Sequence, residues 1–319
     1  MKKNYLKNKS LHFFKNVGFL FLGSACVLHV QAAEDNCMSV FTDMQHRFSV
    51  ADVSFTATVG DLRSIVPFSY RHGYVNGSEY VVWKTLNGES EGYALRDLDG
   101  FDFNDDRSLK KPLSWHNTQV FDRVVSSKNE LKGYQCIFSG RTRLNGRKVS
   151  LLRLLPRNDL RYGLAMAVDD GSGFPVELEV VTPQGAGVTK ISATDIKKND
   201  HALNIPSDND FERFSLLKTA KAEPQDAWGF INIPPYPNIV SQGAVQMPDS
   251  GDVCPYQQFS DGIFSFRVYI NSISSVSLPE VRVGALSIYR MHDANREYAV
   301  VGEIPMEMAK SVLSKVGDR

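Results

Sequence analysis

The chain has 319 residues, of which 42% are hydrophobic and 23% charged, with formal net charge zero. This is the composition of a globular protein long enough for two domains. The charges are unevenly placed. Lys2, Lys3, Lys7, Lys9 and Lys15 precede the first acid, Glu34, and without them 31 Lys and Arg face 36 Asp and Glu. A balance of −5 excludes a general nucleic-acid binder, whose phosphate affinity needs massed cations.

The five lysines form the basic start of a secretory signal. An apolar run from Val17 to Val30 and the small residues of "VQAAED" follow, predicting a signal peptide over 1–32 cleaved after Ala32. The run is too short for a comfortable transmembrane helix, which needs ~20 residues. Cleavage leaves Cys37, Cys136 and Cys254, so at most one internal disulfide forms and one thiol remains, with three pairings open. No pair has CxxC spacing, which gives a redox or zinc site no support.

The exported part opens on a helical stripe, Met38, Phe41, Met44 and Phe48. Strand-like segments follow: "VSFTATVG", "SIVPFSYRHGYV", "EYVVWKTL", "GYALRDL" and "YQCIFSGRTRL". Asn76-Gly77, Asn87-Gly88 and Asn145-Gly146 punctuate them, predicting type I′ hairpins in an antiparallel meander. Asn76-Gly77-Ser78 also fits a glycosylation sequon, but the turn reading is preferred. Val120, Phe121, Val124 and Val125 predict a helix lying across the sheet. Strands resume from Arg161 to Ile196 with two glycine-rich turns. The first domain is therefore read as a curved antiparallel half-barrel over 34–200, covered on one face by helices.

A polar stretch, 201–226, reads as a linker with one short helix near Phe211 to Leu217. Residues 227–319 form a smaller α+β domain. Pro234, Pro235 and Pro237 keep its start irregular. The turn Ser260-Asp261-Gly262 enters an alternating strand whose Phe264, Phe266, Val268 and Ile270 are expected to cover the last helix. That helix begins at Pro305 and carries the stripe Met308, Ala309, Val312, Leu313 and Val316.

Catalytic signals are weak. The sequence contains no HExxH, no Walker loop and no GxSxG elbow. Gly171–Gly173 and Gly185–Gly187 read as turns. His72 lacks an orienting neighbour in sequence and reads as an exposed strand residue. Asp105-Asp106 and Asp169-Asp170 read as turn acids. No cofactor or metal is expected. The concentration of aromatics, Phe55, Phe68, Tyr70, Tyr74, Tyr80, Trp83 and Tyr93, suits either a filled core or an apolar cavity for an amphiphile.

Several stretches resemble one family. "FSDGIFSFRVYI" followed by "YAVVGEIPMEMAKSV" is similar to the C-terminal signature of the RseB/MucB family of periplasmic sigma-E regulators. "YRH" at 70–72, "GRTRLNGR" at 140–147 and "LRYGLAMAVDDGSGFPVEL" resemble its first domain, in the same order. Ala167, where the family often has an aromatic, and "WGFINIPP" depart from the pattern. The resemblance implies a LolA-like half-barrel plus a small C-terminal domain. It implies a non-enzymatic, periplasmic negative regulator that binds the periplasmic part of an inner-membrane anti-sigma factor of RseA or MucA type and shields it from proteolysis. Lipopolysaccharide or lipoprotein acyl chains would release that hold. A lipid carrier of the LolA class is the alternative. Partner contact is expected at Trp228, Phe230, Tyr236, Arg267 and Tyr269. An amphiphile is expected at Phe55, Tyr70, Tyr80 and Trp83, with Arg71, Arg141 and Arg143 near phosphates. Neither nucleic acid nor metal is expected, and a homo-oligomer is possible.

Overall fold

The computed structural model describes residues 36–316, except 62–63, 105–108, 127–130, 132, 199–208, 213–227, 247–252, 273–279 and 294–295. The expected signal peptide and most of the expected linker lie outside the described residues. Helix α1 spans 36–49. Six strands follow: β1 (Val53–Asp61), β2 (Ile65–Val75), β3 (Ser78–Thr85), β4 (Glu91–Arg96), β5 (Asp99–Asn104) and β6 (Leu109–Pro112). Helix α2 (Gln119–Val125) leads to β7 (Tyr134–Leu144), β8 (Arg147–Pro156), β9 (Gly163–Asp169), β10 (Pro175–Val181) and β11 (Gly187–Lys198). These eleven strands form one sheet ordered β6-β5-β4-β3-β2-β1-β11-β10-β9-β8-β7. Every pairing is antiparallel, and the two meanders are joined where β1 pairs with β11. The sheet stays open, with β6 and β7 as its edges and α2 as the crossing between them.

The turns follow from residue chemistry. Asn76 and Gly77 have φ of 51° and 84°, and Asn145 and Gly146 have 49° and 79°, as the two expected I′ turns require. Asn87-Gly88 behaves differently. Only Gly88 has positive φ, and the pair sits in a longer loop between Thr85 and Glu91. Thr85 Oγ1 ties that loop, donating to the Glu89 carbonyl at 3.1 Å and accepting from the Glu91 N–H at 3.0 Å. A side-chain staple here replaces the backbone turn that the dipeptide suggested.

The second sheet comprises β12 (Asn238–Gln246), β13 (Val253–Ser260), β14 (Ser265–Ser272), β15 (Glu280–Val283), β16 (Leu286–His292) and β17 (Arg296–Gly302), ordered β12-β13-β14-β17-β16-β15. Helix α3 (Met306–Val312) packs on it, with Pro305 at the N-cap position. Phe266, Val268 and Ile270 meet Met308, Ala309, Val312 and Leu313 in one buried cluster. Burying each such side chain is worth roughly 1.5–3 kcal/mol.

Phe264 does not join them. It precedes β14 and packs, with Ile263 and Ala285, in the core of the first sheet, 5.7 Å from the Tyr162 ring. Its place in the alternation is correct, but the chain has not yet entered the strand there. The short helix expected from Phe211 is a single turn, 209–212, within the described residues. Phe211 lies on the outer face of the first sheet against Tyr80 and Phe101.

Candidate functional site

Two clusters stand out, the aromatic interior beneath α2 and the junction between the sheets. In the interior, β1, β2 and β3 lie side by side, and the register pairs Phe55 with Tyr70 and Tyr70 with Trp83. Phe55 stacks on Tyr70 at 4.2 Å, and Trp83 meets Tyr70 edge-on at 4.7 Å. Phe121 of α2 and Phe48 of α1 close over them, Phe121 lying 5.5–5.9 Å from Tyr70, Phe55, Trp83 and Phe48. Phe55, Tyr70 and Trp83 are buried. The expected amphiphile site is therefore a filled aromatic core at these residues, because the two helices supply rings of their own.

Tyr80 and Arg71 lie elsewhere. Successive strand residues alternate faces, so Tyr80 points away from Trp83 and joins Val82, Phe101 and Phe103 on the outer face. Arg71 likewise opposes Tyr70, and its side chain is exposed. Arg141 and Arg143 are exposed on the β7–β8 hairpin, Arg141 facing Asp170 at 3.6 Å.

One carboxylate is sealed inside this core. Asp122 of α2 accepts from Trp83 Nε1 at 3.0 Å and from Tyr93 Oη at 3.0 Å. Burial pushes its pKa up to about 7, against the opposing pull of the Trp83 and Tyr93 hydrogen bonds and of Arg123. A carboxyl raised from its ordinary range stabilises the fold most when protonated, and that contribution is lost as pH rises through about 7. Asp122→Asn removes the titration. Its melting temperature is expected to climb relative to the parent between pH 5 and pH 8; a constant difference across that range would contradict the assignment. Trp83→Phe removes an N–H that holds the charged form. Its cost, about 1–3 kcal/mol, is expected to be greater at pH 8 than at pH 5, read by denaturant melts at both.

The junction is built on Arg161, which is buried just before β9. Arg161 Nη1 pairs with Asp261 Oδ2 at 3.0 Å, Nη2 donates to the Gly133 carbonyl, and Nε donates to Asn158 Oδ1 at 3.3 Å. The guanidinium lies between the Tyr134 and Tyr236 rings, at 4.6 and 4.7 Å. Tyr134 Oη also donates to Asp261 Oδ2 at 2.7 Å. The other Asp261 oxygen accepts the N–H groups of Ile263 and Phe264 at 3.0 and 2.9 Å, which fixes the Ser-Asp-Gly turn. Thus the turn acid of the second unit answers the buried arginine of the first.

A second tie runs from α2. Arg123 pairs with Glu303, and its Nε donates to the Ile263 carbonyl at 2.5 Å. Burial pushes the Glu303 carboxyl up to about 7, opposed by Arg123. Consecutive residues of α2 thus serve different ends, Asp122 in the aromatic core and Arg123 at the junction.

Among the residues expected to meet a partner, Trp228 and Phe230 are buried in the second core, Phe230 4.3 Å from the Tyr298 ring. Packing against the sheet takes them off the surface. Tyr236 is exposed, with φ of 91°, and caps Arg161. Arg267, partly exposed, lies over Tyr256 at 5.3 Å and reaches Trp115 of the first unit at 5.4 Å. Tyr269 is partly exposed beside Tyr256.

His72 is not exposed. Its Nε2 meets Glu79 Oε1 at 3.0 Å, its Nδ1 meets the Ala51 carbonyl at 2.8 Å, and Phe48 packs on the ring at 4.9 Å. The structure also gathers Ser114, His116 and Asp102, a trio the sequence did not announce. One ring nitrogen, His116 Nε2, contacts both Asp102 Oδ1 at 2.8 Å and Ser114 Oγ at 3.2 Å. A nucleophile relay needs the hydroxyl and the carboxylate on opposite nitrogens, so this trio is a structural bond between β5 and the entry to α2. Cys37 bonds to Cys136, pinning α1 to β7, and Cys254 is buried outside any disulfide, its Sγ meeting Asn271 Oδ1.

Comparison with known proteins bears on the two-unit layout. The MucB/RseB N-terminal domain model matches residues 38–215, and the MucB/RseB C-terminal domain model matches 222–317. The chain belongs to the MucB/RseB family. The sigma-E factor regulatory protein RseB of Haemophilus influenzae is 22% identical over 256 residues, covering 78% of this chain and 81% of the relative. RseB of Salmonella typhimurium is 26% identical, covering 77% and 80%. A crystal structure of MucB in complex with the periplasmic part of MucA aligns with TM-score 0.60 at 16% identity, over 88% of this chain and 97% of that one. It shares the fold, and the MucB/RseB architecture of a larger and a smaller sheet unit is present here.

Proposed function

We propose that this chain is a periplasmic negative regulator of a sigma-E-type envelope stress response, acting by binding rather than by catalysis. It holds the periplasmic part of a MucA- or RseA-type anti-sigma factor and shields it from proteolysis. Lipopolysaccharide or lipoprotein acyl chains weaken the hold. The observation that carries this reading is family membership over both units in order. The Cys37–Cys136 bond supports export, because disulfides persist in oxidising compartments.

In this reading the partner contacts the exposed side of the junction around Tyr236, Arg267 and Tyr269. An acyl chain entering beside Phe55, Tyr70 and Trp83 must displace Phe121, and with it α2 and the Arg123–Glu303 tie. Release is then linked binding: a ligand that favours the loosened junction weakens the partner by the factor by which the partner weakens the ligand. The test is a titration of the purified chain with the periplasmic segment of the anti-sigma factor, with and without lipopolysaccharide. Saturable binding that lipopolysaccharide weakens is expected. Absence of binding, together with transfer of lipoprotein between membranes, would replace this reading with the carrier.

A further inference from the structure

The β7–β8 hairpin holds a feature that the regulator reading does not use. From Tyr134 to Arg157 the chain carries Arg141, Arg143, Arg147, Lys148, Arg153 and Arg157 and no Asp or Glu. Four of these cations fall in the eight residues "RTRLNGRK" at the tip. The tip overhangs the sheet. β8 pairs with β9 only from Val149 to Leu154, and β7 is the sheet edge, so Arg143 to Lys148 project as a two-stranded ribbon. Arg143, Arg147 and Lys148 are exposed, as is Arg141, whose side chain is 65% accessible. Asp169 and Asp170 lie at the ribbon's base and meet Arg147 at 3.1 Å and Arg141 at 3.6 Å. Arg143 Nη1 donates to the Gly146 carbonyl at 3.3 Å.

Register assigns the faces. Arg141 opposes Ser150 and Arg143 opposes Lys148, so these three cations share one face; Arg147 belongs to the other. Leu144, half-buried beside the Asn145-Gly146 turn, packs back against Val149, Ala167 and Val176 and is not part of the exposed tip. Three exposed cations on one face of a projecting ribbon, with Arg147 on the other face held by Asp169, suit approach to a plane of many phosphates. The rest of the exported chain is acidic, so an anionic plane attracts the tip and repels the remainder, which orients the molecule.

We propose that the β7–β8 tip docks on an anionic phospholipid surface through Arg141, Arg143 and Lys148. Each Lys or Arg close to such a surface contributes about 1 kcal/mol, roughly fivefold in partition. The contact is screened by salt.

The experiment is co-sedimentation of the purified chain with phosphatidylcholine vesicles, with and without about one-third phosphatidylglycerol. Binding is expected only with the anionic lipid. Arg143→Gln with Lys148→Gln should lower that binding roughly 20- to 30-fold. Lys190→Gln with Lys310→Gln, which removes equal charge from distant exposed sites, should leave it near the parent value, and melting curves should show all forms folded. Equal binding to neutral vesicles, equal losses in both double variants, or no loss at the tip would overturn the proposal. So would competition by inorganic phosphate at matched ionic strength, which would indicate a discrete anion pocket. Loss of anti-sigma segment binding in the tip variant without vesicle binding would reassign the ribbon to the protein partner. The vesicle arm does not depend on the regulator reading.

Discussion

Replacing both Cys37 and Cys136 by Ser is expected to lower stability by about 4–5 kcal/mol, the chain-entropy value for a loop near a hundred residues. The bond spans 99 positions and ties α1, which supplies Phe41, Met44 and Phe48 to the core, to the edge strand β7. Without it α1 is held by packing and by Gln45 Nε2, which donates to the Val124 and Ser126 carbonyls, each at 3.0 Å. Unfolding in denaturant with and without a reductant, on the parent and the double variant, gives the measurement. Reductant should move the parent towards the variant and leave the variant unmoved. Equal midpoints for parent and variant under oxidising conditions would show that α1 needs no covalent anchor. Cys254 offers an internal control, since it lies outside any disulfide and its loss removes no crosslink.

Asp261→Ala is expected to cost about 3–5 kcal/mol, because it leaves the Arg161 guanidinium buried without its counter-charge. The same change frees the Tyr134 hydroxyl and the two backbone N–H groups that Asp261 accepts. The two sheets should then lose their common transition and melt in two steps. Arg161→Met should cost less in combination with Asp261→Ala than the sum of the two single changes, since the pair is one interaction seen from both ends. A loss under about 1 kcal/mol for Asp261→Ala, or strict additivity in the double-mutant cycle, would mean that the sheets are joined by the Arg123 tie and the packing of Ile263 and Phe264 and not by the buried pair.

The two ties give the regulator reading its physical content. A binding protein that must respond to a distant ligand needs a junction with two arrangements. Here the junction residues and the aromatic core are linked through α2, where Asp122 and Arg123 are consecutive.

What was legible in the sequence was local. Alternation marked the strands, Asn76-Gly77 and Asn145-Gly146 set their turns, and the 3.6-residue stripes placed α1, α2 and α3. The family motifs were legible too, as was the presence of a second unit. Strand parity also reads directly from the sequence: Tyr80 and Trp83 are three apart on one strand and so cannot share a face. The Ser-Asp-Gly turn was visible as a turn, but its aspartate is also half of the ionic lock.

The composition, strand order within each meander and helix stripes are determined by the sequence alone, because each depends on neighbours within a few positions. Tertiary structure alone decided that Cys37 takes Cys136, that Arg161 meets Asp261 a hundred residues away, that Phe264 serves the first core, and that Phe48 and Phe121 pack over Tyr70 and Phe55. The reason is physical. An alternating strand states that one face must be covered, but the covering group is chosen only when the open sheet, its crossing helix and the second unit close on one another, and the buried charges are paired in the same step.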